Sequence, residues 1–278
     1  MARRRRITAN RLDLVAGGLT DRDRAVLDVL AVVGVAATDQ LARIVFGDAI
    51  SDTAGRLARR SLQRLRRDGL VRRFEDRAWD RRAGAPGYVH ALTGSGLRLV
   101  GGDSGPGAGQ RRAWRPTYQF LTHRLAITEL YVKLVEQERA GGPRVLEFAA
   151  EAAAARSFSG PGGTKRLLPD ALVRLAADGV EVSNFIEVDK GTETRATIMR
   201  KAQNYRTYEL TGDEIRRHGV MATVLFVVSN PERARVIQRL IHGLDPDLRE
   251  LFAVALEADT VRVLSEAGLP TEPERPPP

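Results

Sequence analysis

The feature that most constrains the fold is a helical segment with one apolar side and one arginine-rich side. Between Ala54 and Arg82 the chain carries 11 arginines against four acidic residues. At about 100° per residue, one apolar stripe fits within an arc of about 140°, and it consists of Ala54, Leu57, Ala58, Leu62 and Leu65. The pattern predicts a helix over residues 53–68 that docks its apolar side on neighbouring helices and turns its guanidinium groups outward.

The segments around this helix predict a winged helix-turn-helix. Thr20 can cap a helix that ends at Gly34, and Thr38 can cap a short second helix. Two strand patterns, residues 70–74 and 88–92, then enclose a polar basic loop. In such a domain the third helix enters the major groove and the hairpin contacts the DNA backbone. The alternative is a solvated arginine-rich helix in a helical protein.

The expected DNA contacts come from both the helix and the loop. On the helix, Arg59, Arg60 and Arg64 are candidates either to read guanine edges or to hold phosphates. The full set of arginines expected to contact double-stranded DNA is Arg56, Arg59, Arg60, Arg64, Arg67, Arg77, Arg81 and Arg82. The net charge of +9 and the sequence pI near 10.5 favour a polyanionic partner, with nucleic acid ahead of an anionic membrane.

Composition excludes several other classes of protein. The chain has no cysteine, which excludes a disulfide scaffold, thiolate zinc sites and a cysteine nucleophile. Its four histidines are far apart in sequence, so no local imidazole metal site is encoded. The longest apolar run, residues 29–37, is far shorter than the ~20 residues that span a bilayer, and the N-terminus shows no secretory signal. We therefore expect a cytoplasmic protein with no membrane partner.

Charge and composition also predict the domain organisation. The glycine-rich stretch at residues 101–109 is typical of a linker, and the C-terminal tail is rich in proline. The expected segments are a basic flexible N-terminus (1–19), a winged helix-turn-helix domain (20–100), a linker (101–115), a second domain (116–268) and a disordered proline-rich tail (269–278).

The second domain has the pattern of a mixed sheet with helices on its faces. Apolar and alternating patterns predict strands over residues 144–150, 165–176, 180–189 and 220–229, and helices over residues 121–139, 194–210 and 230–242. His123 lies on the apolar face of the first of these helices and is expected to pack in a core. Together with the N-terminal part, this order predicts the α+β fold class.

Three acidic residues of this domain are candidates for a metal site. Glu187 and Asp189 end one predicted strand and point to the same face, because strand side chains alternate. If the turn at residues 177–179 pairs this strand with the preceding one, Asp170 lies beside Glu187. Three converging carboxylates would bind a divalent cation such as Mg²⁺, which can activate water against a phosphodiester. Asp170, Glu187 and Asp189 are therefore the expected catalytic and metal-binding residues.

This arrangement resembles the PD-(D/E)xK nuclease fold, an α/β restriction-endonuclease-like domain. In that family a proline-aspartate pair is followed by an acid on the next strand and by a lysine two residues beyond. Residue by residue, Asp170 and Glu187 match the two acids, and Asp189 stands at the position of the lysine. The resemblance implies either a Mg²⁺-dependent DNA endonuclease, with Lys165, Arg195 or Lys201 supplying the positive charge from elsewhere, or a degenerate domain that binds without cutting.

Residues 20–245 also resemble the replication-relaxation family of actinobacterial plasmids and other mobile elements. The resemblance rests on the arginine-rich helix and on four short runs, which are Thr93-Gly94-Ser95-Gly96, His123-Arg124-Leu125-Ala126, Leu168-Pro169-Asp170-Ala171 and Glu187-Val188-Asp189-Lys190-Gly191-Thr192-Glu193. It implies a DNA-binding protein that acts in replication or mobilisation of extrachromosomal DNA, with replication or mobilisation proteins as partners. A homodimer is a further arrangement that the sequence leaves open.

Other chemistries fit the sequence less well. The run at residues 160–165 lacks the ending of a phosphate-binding loop. A tyrosine relaxase would need a histidine cluster beside its nucleophilic tyrosine, and the sequence has none. Tyr205 and Tyr208 share a helix face with Lys201, so these tyrosines are expected to pack, with contact to the DNA backbone as the alternative. The remaining functional hypothesis is a winged-helix transcriptional regulator whose C-terminal domain binds a partner or a small ligand.

Overall fold

The structure, a computed structural model, divides into two compact units. It describes residues 9–74, 88–101, 116–160, 162–177 and 179–266. Unit 1 comprises Met1–Val132 and unit 2 comprises Lys133–Pro278, so the division falls within a long helix, Tyr118–Arg139. The domain boundaries expected from the sequence stay predictions, and most of the expected linker and tail lies outside the described residues.

Unit 1 consists of helices followed by a small antiparallel sheet. Its elements are α1 (Ala9–Gly17), α2 (Asp21–Val33), β1 (Val35–Ala37), α3 (Thr38–Phe46), α4 (Ser51–Arg67), β2 (Val71–Phe74), β3 (Val89–Leu92), α5 (Gly94–Leu99) and the first part of α6 (Tyr118–Arg139). In the described part of this unit the strand order is β1-β3-β2. Helix α1 lies within the segment that the sequence predicted to be flexible. Strand β1 was not predicted, because three small apolar residues are too few to show a strand period.

Local signals explain where these helices begin and end. Thr20 and Asp23 form a reciprocal capping box at the start of α2, and Gly34 ends the helix with φ 75°. The prediction that Thr38 caps α3 was wrong, since the cap is Ala37, whose backbone N–H donates to Gln40 Oε1 at 3.1 Å. Helix α4 begins at Ser51, two residues earlier than predicted.

The core of unit 1 buries the apolar side of α4 as predicted. Ala58, Leu62 and Leu65 are buried together with apolar residues of α2 and α3, such as Leu30 and Leu41. Leu57, which the sequence placed in the same stripe, is half-buried. The fully buried side of α4 is therefore narrower than the predicted arc.

Unit 2 contains a five-stranded mixed sheet in its described residues. Its elements are β4 (Arg144–Ala150), β5 (Arg156–Gly160), β6 (Gly163–Leu167), β7 (Ala171–Ala177), β8 (Val180–Asp189), α7 (Arg195–Glu209), α8 (Asp213–His218), β9 (Thr223–Val228), α9 (Pro231–His242), α10 (Pro246–Arg249), β10 (Phe252–Leu256) and α11 (Thr260–Glu266). The strand order is β10-β9-β8-β7-β4, with β8, β9 and β10 parallel and the other pairs antiparallel. The mixed sheet and the helices of both units confirm the α+β class.

One predicted strand of unit 2 is two strands. The segment at residues 165–176 breaks at Leu168-Pro169-Asp170, so β6 forms a hairpin with β5 while β7 joins the main sheet. Pro169 has no N–H to donate to a ladder, which favours a break at this point. Asp170 therefore precedes β7, and the prediction that it lies within a strand was wrong.

One face of the main sheet packs against α7 and α9. Phe185 of β8 and Phe226 of β9 share a core with Tyr205 of α7 and Ile237 of α9. The Phe185 and Tyr205 rings lie 5.7 Å apart between centroids. Because β8 side chains alternate, Glu187 and Asp189 point to the same side as Phe185, which brings two acids to the helix-covered face.

None of the helices in the described ranges combines the length and the apolar character needed to cross a membrane.

Candidate DNA-binding surface and carboxylate cluster

Helix α4 presents a row of exposed arginines opposite its buried side. We call this set the arginine row; it consists of Arg56, Arg59, Arg60 and Arg67, all exposed to solvent, with the exposed Gln63 among them. Counted from Arg56, the other four lie 3, 4, 7 and 11 positions along the chain, which at about 100° per residue places all five within an arc of about 100° on one side of the α-helix. Arg56 donates to Thr53 Oγ1 at 3.1 Å and Arg67 to Asp68 Oδ1 at 3.1 Å. Such exposed contacts are weak, so they leave these guanidinium groups available to a stronger anion.

Arg64 differs from the other arginines of α4, because it binds a buried carboxylate. Its Nη2 lies 2.8 Å from Asp23 Oδ1, and Ser61 Oγ donates to the same oxygen at 2.5 Å. Burial alone would raise the pKa of Asp23, but hydrogen bonds from Ser61, Arg64 and Thr20 outweigh burial and lower it. Asp23 thus links α4 to the start of α2. Arg64 helps to hold the arginine row in place and is poorly available to read a base.

The expected contacts from the hairpin loop lie outside the described residues. This holds for Arg77, Arg81 and Arg82. Beside the loop, the Arg73 guanidinium lies over the Tyr88 ring at 3.9 Å from its centroid. His90 of β3 is buried and its Nε2 lies 3.0 Å from Thr38 Oγ1. Burial, helped by the charges of Arg66 and Arg73, lowers the pKa of His90 to about 4, so this histidine is neutral at physiological pH.

In unit 2 the structure places Asp170 beside Glu187. The Asp170 N–H donates to Ile186 O at 3.0 Å, next to the antiparallel pair Ala171 and Ile186. Asp170 Oδ2 accepts the Val188 N–H at 2.7 Å. The proximity of these two acids follows from the register of β7 and β8, as the sequence predicted from the turn at residues 177–179.

Glu187 is buried and both of its carboxylate oxygens have partners. Lys201 Nζ of α7 lies 2.6 Å from Oε2, and the Tyr205 hydroxyl donates to Oε1 at 2.6 Å. The same Lys201 nitrogen lies 2.6 Å from Glu193 Oε1. Burial raises the pKa of Glu187 to about 7, against the opposing charge of Lys201. Burial disfavours the ammonium form of Lys201, but Glu187 and Glu193 outweigh it and raise the pKa of the lysine above its usual value.

Asp189 has a different cation from Glu187. Arg233 of α9 donates to Asp189 Oδ2 through Nε at 3.0 Å and through Nη2 at 2.5 Å, and the Gly191 N–H donates to Oδ1 at 2.5 Å. Asp189 is 1% exposed. The two acids of β8 therefore share a face of the strand, but each pairs with a basic residue of a different helix, Lys201 of α7 or Arg233 of α9.

The other basic residues considered as sources of positive charge for this site lie elsewhere in unit 2. Lys165 lies in the β5–β6 hairpin and Arg195 is exposed at the first position of α7. Lys190 points away from the acids, as predicted, and pairs with Glu257 at 2.7 Å. Across the described ranges, no group of three or more aspartate, glutamate or histidine residues is arranged to hold a metal ion. Whether Mg²⁺ binds stays a prediction.

Sequence reasoning missed three residues of this region. Glu193 lies in the Gly-Thr-Glu run that was noted for resemblance alone, whereas Arg233 lies 44 positions beyond Asp189 and gives no local signal. Glu214 was not considered, yet it is buried and accepts hydrogen bonds from Arg156 Nε at 3.0 Å and from Tyr208 at 2.5 Å. The expectation that Tyr205 and Tyr208 pack is confirmed, since both side chains are buried.

Comparison with known proteins gives one family. The model of the replication-relaxation family matches residues 27–224, which is well over half of the chain. No curated protein matches, and no solved structure matches. The matched region includes the arginine row, the Asp170–Glu187 pair and Lys201. The chain belongs to the replication-relaxation family.

Proposed function

We propose that this protein binds double-stranded DNA through the arginine row of α4 and acts in replication or mobilisation of extrachromosomal DNA. Membership of the replication-relaxation family supports the replication role. The single observation that carries the DNA-binding proposal is the arginine row itself, four exposed guanidinium groups on the outer side of a helix whose other side is buried.

The dimensions of the row suit duplex DNA. The span from Arg56 to Arg67 corresponds to roughly 16 Å of helix at 1.5 Å per residue, and the major groove is about 12 Å wide. Arginines on such a helix can contact phosphates on the groove walls or guanine edges on its floor. Gln63, between Arg60 and Arg67, adds an amide that can bind adenine. The order of α2, α3 and α4, with the β2–β3 pair after α4, is consistent with a helix-turn-helix and supports this docking mode.

A charge-reversal experiment with a matched control tests the proposal. The double variant Arg59→Glu, Arg60→Glu changes the net charge as much as Arg235→Glu, Arg239→Glu, which alters two exposed arginines of α9. Affinity for a fluorescent duplex, measured by anisotropy at about 0.1 M salt, should fall more than about tenfold in the first variant. It should change much less in the second. Equal losses in both variants would show that binding follows net charge and that the arginine row has no special role.

For unit 2 we propose a nuclease-like domain that does not cut DNA. The contacts of Lys201 with Glu187 and of Arg233 with Asp189 support this proposal, because a carboxylate that holds a protein cation is a poor ligand for a metal. The competing hypothesis is a Mg²⁺-dependent endonuclease in which these cations move aside. Supercoiled plasmid incubated with the protein and Mg²⁺ or Mn²⁺ should stay intact. Nicking that disappears in both Asp170→Ala and Glu187→Ala would instead establish the endonuclease.

A further inference from the structure

The outer side of α4 contains an acidic residue that phosphate binding does not explain. Asp52 lies in the first turn of the helix and is exposed to solvent. Its carboxylate makes no ion pair within the described part of the chain, although several arginines follow it along the same helix. Because a carboxylate and a phosphate repel each other, an acid on a surface that held phosphates alone would weaken DNA binding.

Helical spacing places Asp52 inside the arginine row and not beside it. Arg56 and Arg59 follow Asp52 by 4 and 7 positions, which at about 100° per residue puts Asp52 between them when the helix is viewed along its axis. The protein surface is concave here, and the concavity is lined by Asp52, Gly55, Arg56 and Arg59. A duplex bound to this part of the row therefore lies against the Asp52 carboxylate as well.

Ile50, two residues before Asp52, is a second residue that phosphate binding does not explain. It is the N-cap residue of α4 and is 83% exposed. Its side chain caps no backbone N–H, and isoleucine is among the residues least favoured at this position. In the major groove, an apolar side chain can contact the thymine methyl group and a carboxylate can accept from the cytosine amino group. Both residue types therefore fit base edges and not phosphates.

We propose that Asp52 is a specificity-determining residue of the DNA-binding surface, which selects cytosine through its N4 amino group in the major groove. Guanine and thymine present acceptors there, which would repel a carboxylate. Adenine has an amino donor, but its N7 acceptor lies beside that donor. This inference rests on the proposed binding of double-stranded DNA by the arginine row. It adds the kind of site that is bound, a duplex with cytosine at a fixed position.

Selection of duplexes from a randomised pool tests the inference, with the full-length wild-type protein and Asp52→Asn in parallel. The wild-type protein should enrich cytosine at one position of the selected site. Replacing that C·G pair by T·A should weaken wild-type binding about fivefold to hundredfold. Asp52→Asn should instead enrich adenine at the same position, because an asparagine amide pairs with N6 and N7 of adenine.

Gln63→Ala shows whether the cytosine preference belongs to Asp52 in particular. It should leave the cytosine preference unchanged and alter a different position of the selected site. That position should lie at most about five base pairs from the cytosine, because the 11 residues from Asp52 to Gln63 span roughly 16 Å of helix and base pairs are about 3.4 Å apart. Loss of the cytosine preference in Gln63→Ala would contradict the assignment to Asp52.

Asp28→Asn is the matched control for charge. It removes the same charge from an exposed acid of α2, so it should keep the wild-type base preference. The melting temperatures of both asparagine variants are compared with that of the wild type, because an acid in the first turn slightly stabilises a helix. A lower melting temperature of Asp52→Asn with an unchanged base preference would show that Asp52 serves α4 alone, and would overturn the inference.

The same selection separates failure of the inference from failure of the proposed function. Binding without any base preference, or the same preference in the wild type and Asp52→Asn, would overturn the inference and leave DNA binding by the arginine row intact. If the wild-type protein bound no duplex, the proposed function and the inference would both fail.

Discussion

The Asp23→Ala substitution tests how the arginine row is held in place. Asp23 is 2% exposed and accepts hydrogen bonds from Thr20, Ser61 and Arg64. Loss of the capping box should cost about 1 kcal/mol. Loss of the acceptor for the buried Ser61 hydroxyl should cost about 1–3 kcal/mol more. The Arg64 side chain is 43% exposed, so its share is below about 1 kcal/mol after solvent screening. The sum is roughly 3 kcal/mol.

Hydrogen exchange with mass spectrometry is the suitable assay, because it reports the free energy of opening segment by segment in a two-unit chain. Peptides from α2 and α4 should lose about 3 kcal/mol of protection in Asp23→Ala. Asp28→Ala, which removes an exposed acid from the same helix, should change protection by less than about 0.5 kcal/mol. A loss below about 1 kcal/mol in Asp23→Ala would refute the view that Asp23 anchors α4.

Three further predictions concern other parts of the chain. Arg156→Ala should destabilise unit 2 by about 3–5 kcal/mol in urea unfolding, because Glu214 would be left buried without its cation. A loss below about 1 kcal/mol would contradict this. The pKa of His90 is about 4 in the folded protein and near 6.5 in the unfolded chain. Between these pH values the unfolded state binds more protons than the folded state. The stability of unit 1 should therefore fall by up to about 3 kcal/mol as the pH drops from about 6.5 to 4. His90→Gln, followed by circular dichroism, should weaken this dependence, and an unchanged profile would assign it to another group. Gly96→Ala should destabilise α5 because the added Cβ would collide with Leu70 O, which exchange protection of residues 94–99 would reveal.

The features predicted from sequence are those encoded over short distances. The buried and exposed sides of α4 follow from residues within five turns of one helix, and the place of Asp170 beside Glu187 follows from a tight turn between two alternating strands. Periodicity and turn chemistry are both local in sequence, so they are enough to predict these two features.

The features that escaped prediction depend on contacts between distant segments. In sequence, Arg64 cannot be told apart from the other arginines of α4. The structure shows that it pairs with Asp23, which is 41 positions away in the chain. The partner of Asp189 is Arg233, on a helix that follows another strand. Lys201 was one of three candidate cations, and its place beside Glu187 depends on how α7 packs on the sheet. Single-sequence patterns do not carry such information, because each segment is compatible with several partners.

The most direct test of the central claim is to locate α4 on DNA. The chain has no cysteine, so a cysteine introduced at Gln63 can carry an iron chelate that cleaves nearby DNA strands through hydroxyl radicals. The same chelate at Gln238, exposed on α9, is the control. With both labelled proteins bound to the duplex, we predict strong strand cleavage from position 63 and weak cleavage from position 238. Bound protein that cleaves equally from both positions, or from position 238 alone, would contradict the proposal that the arginine row contacts DNA.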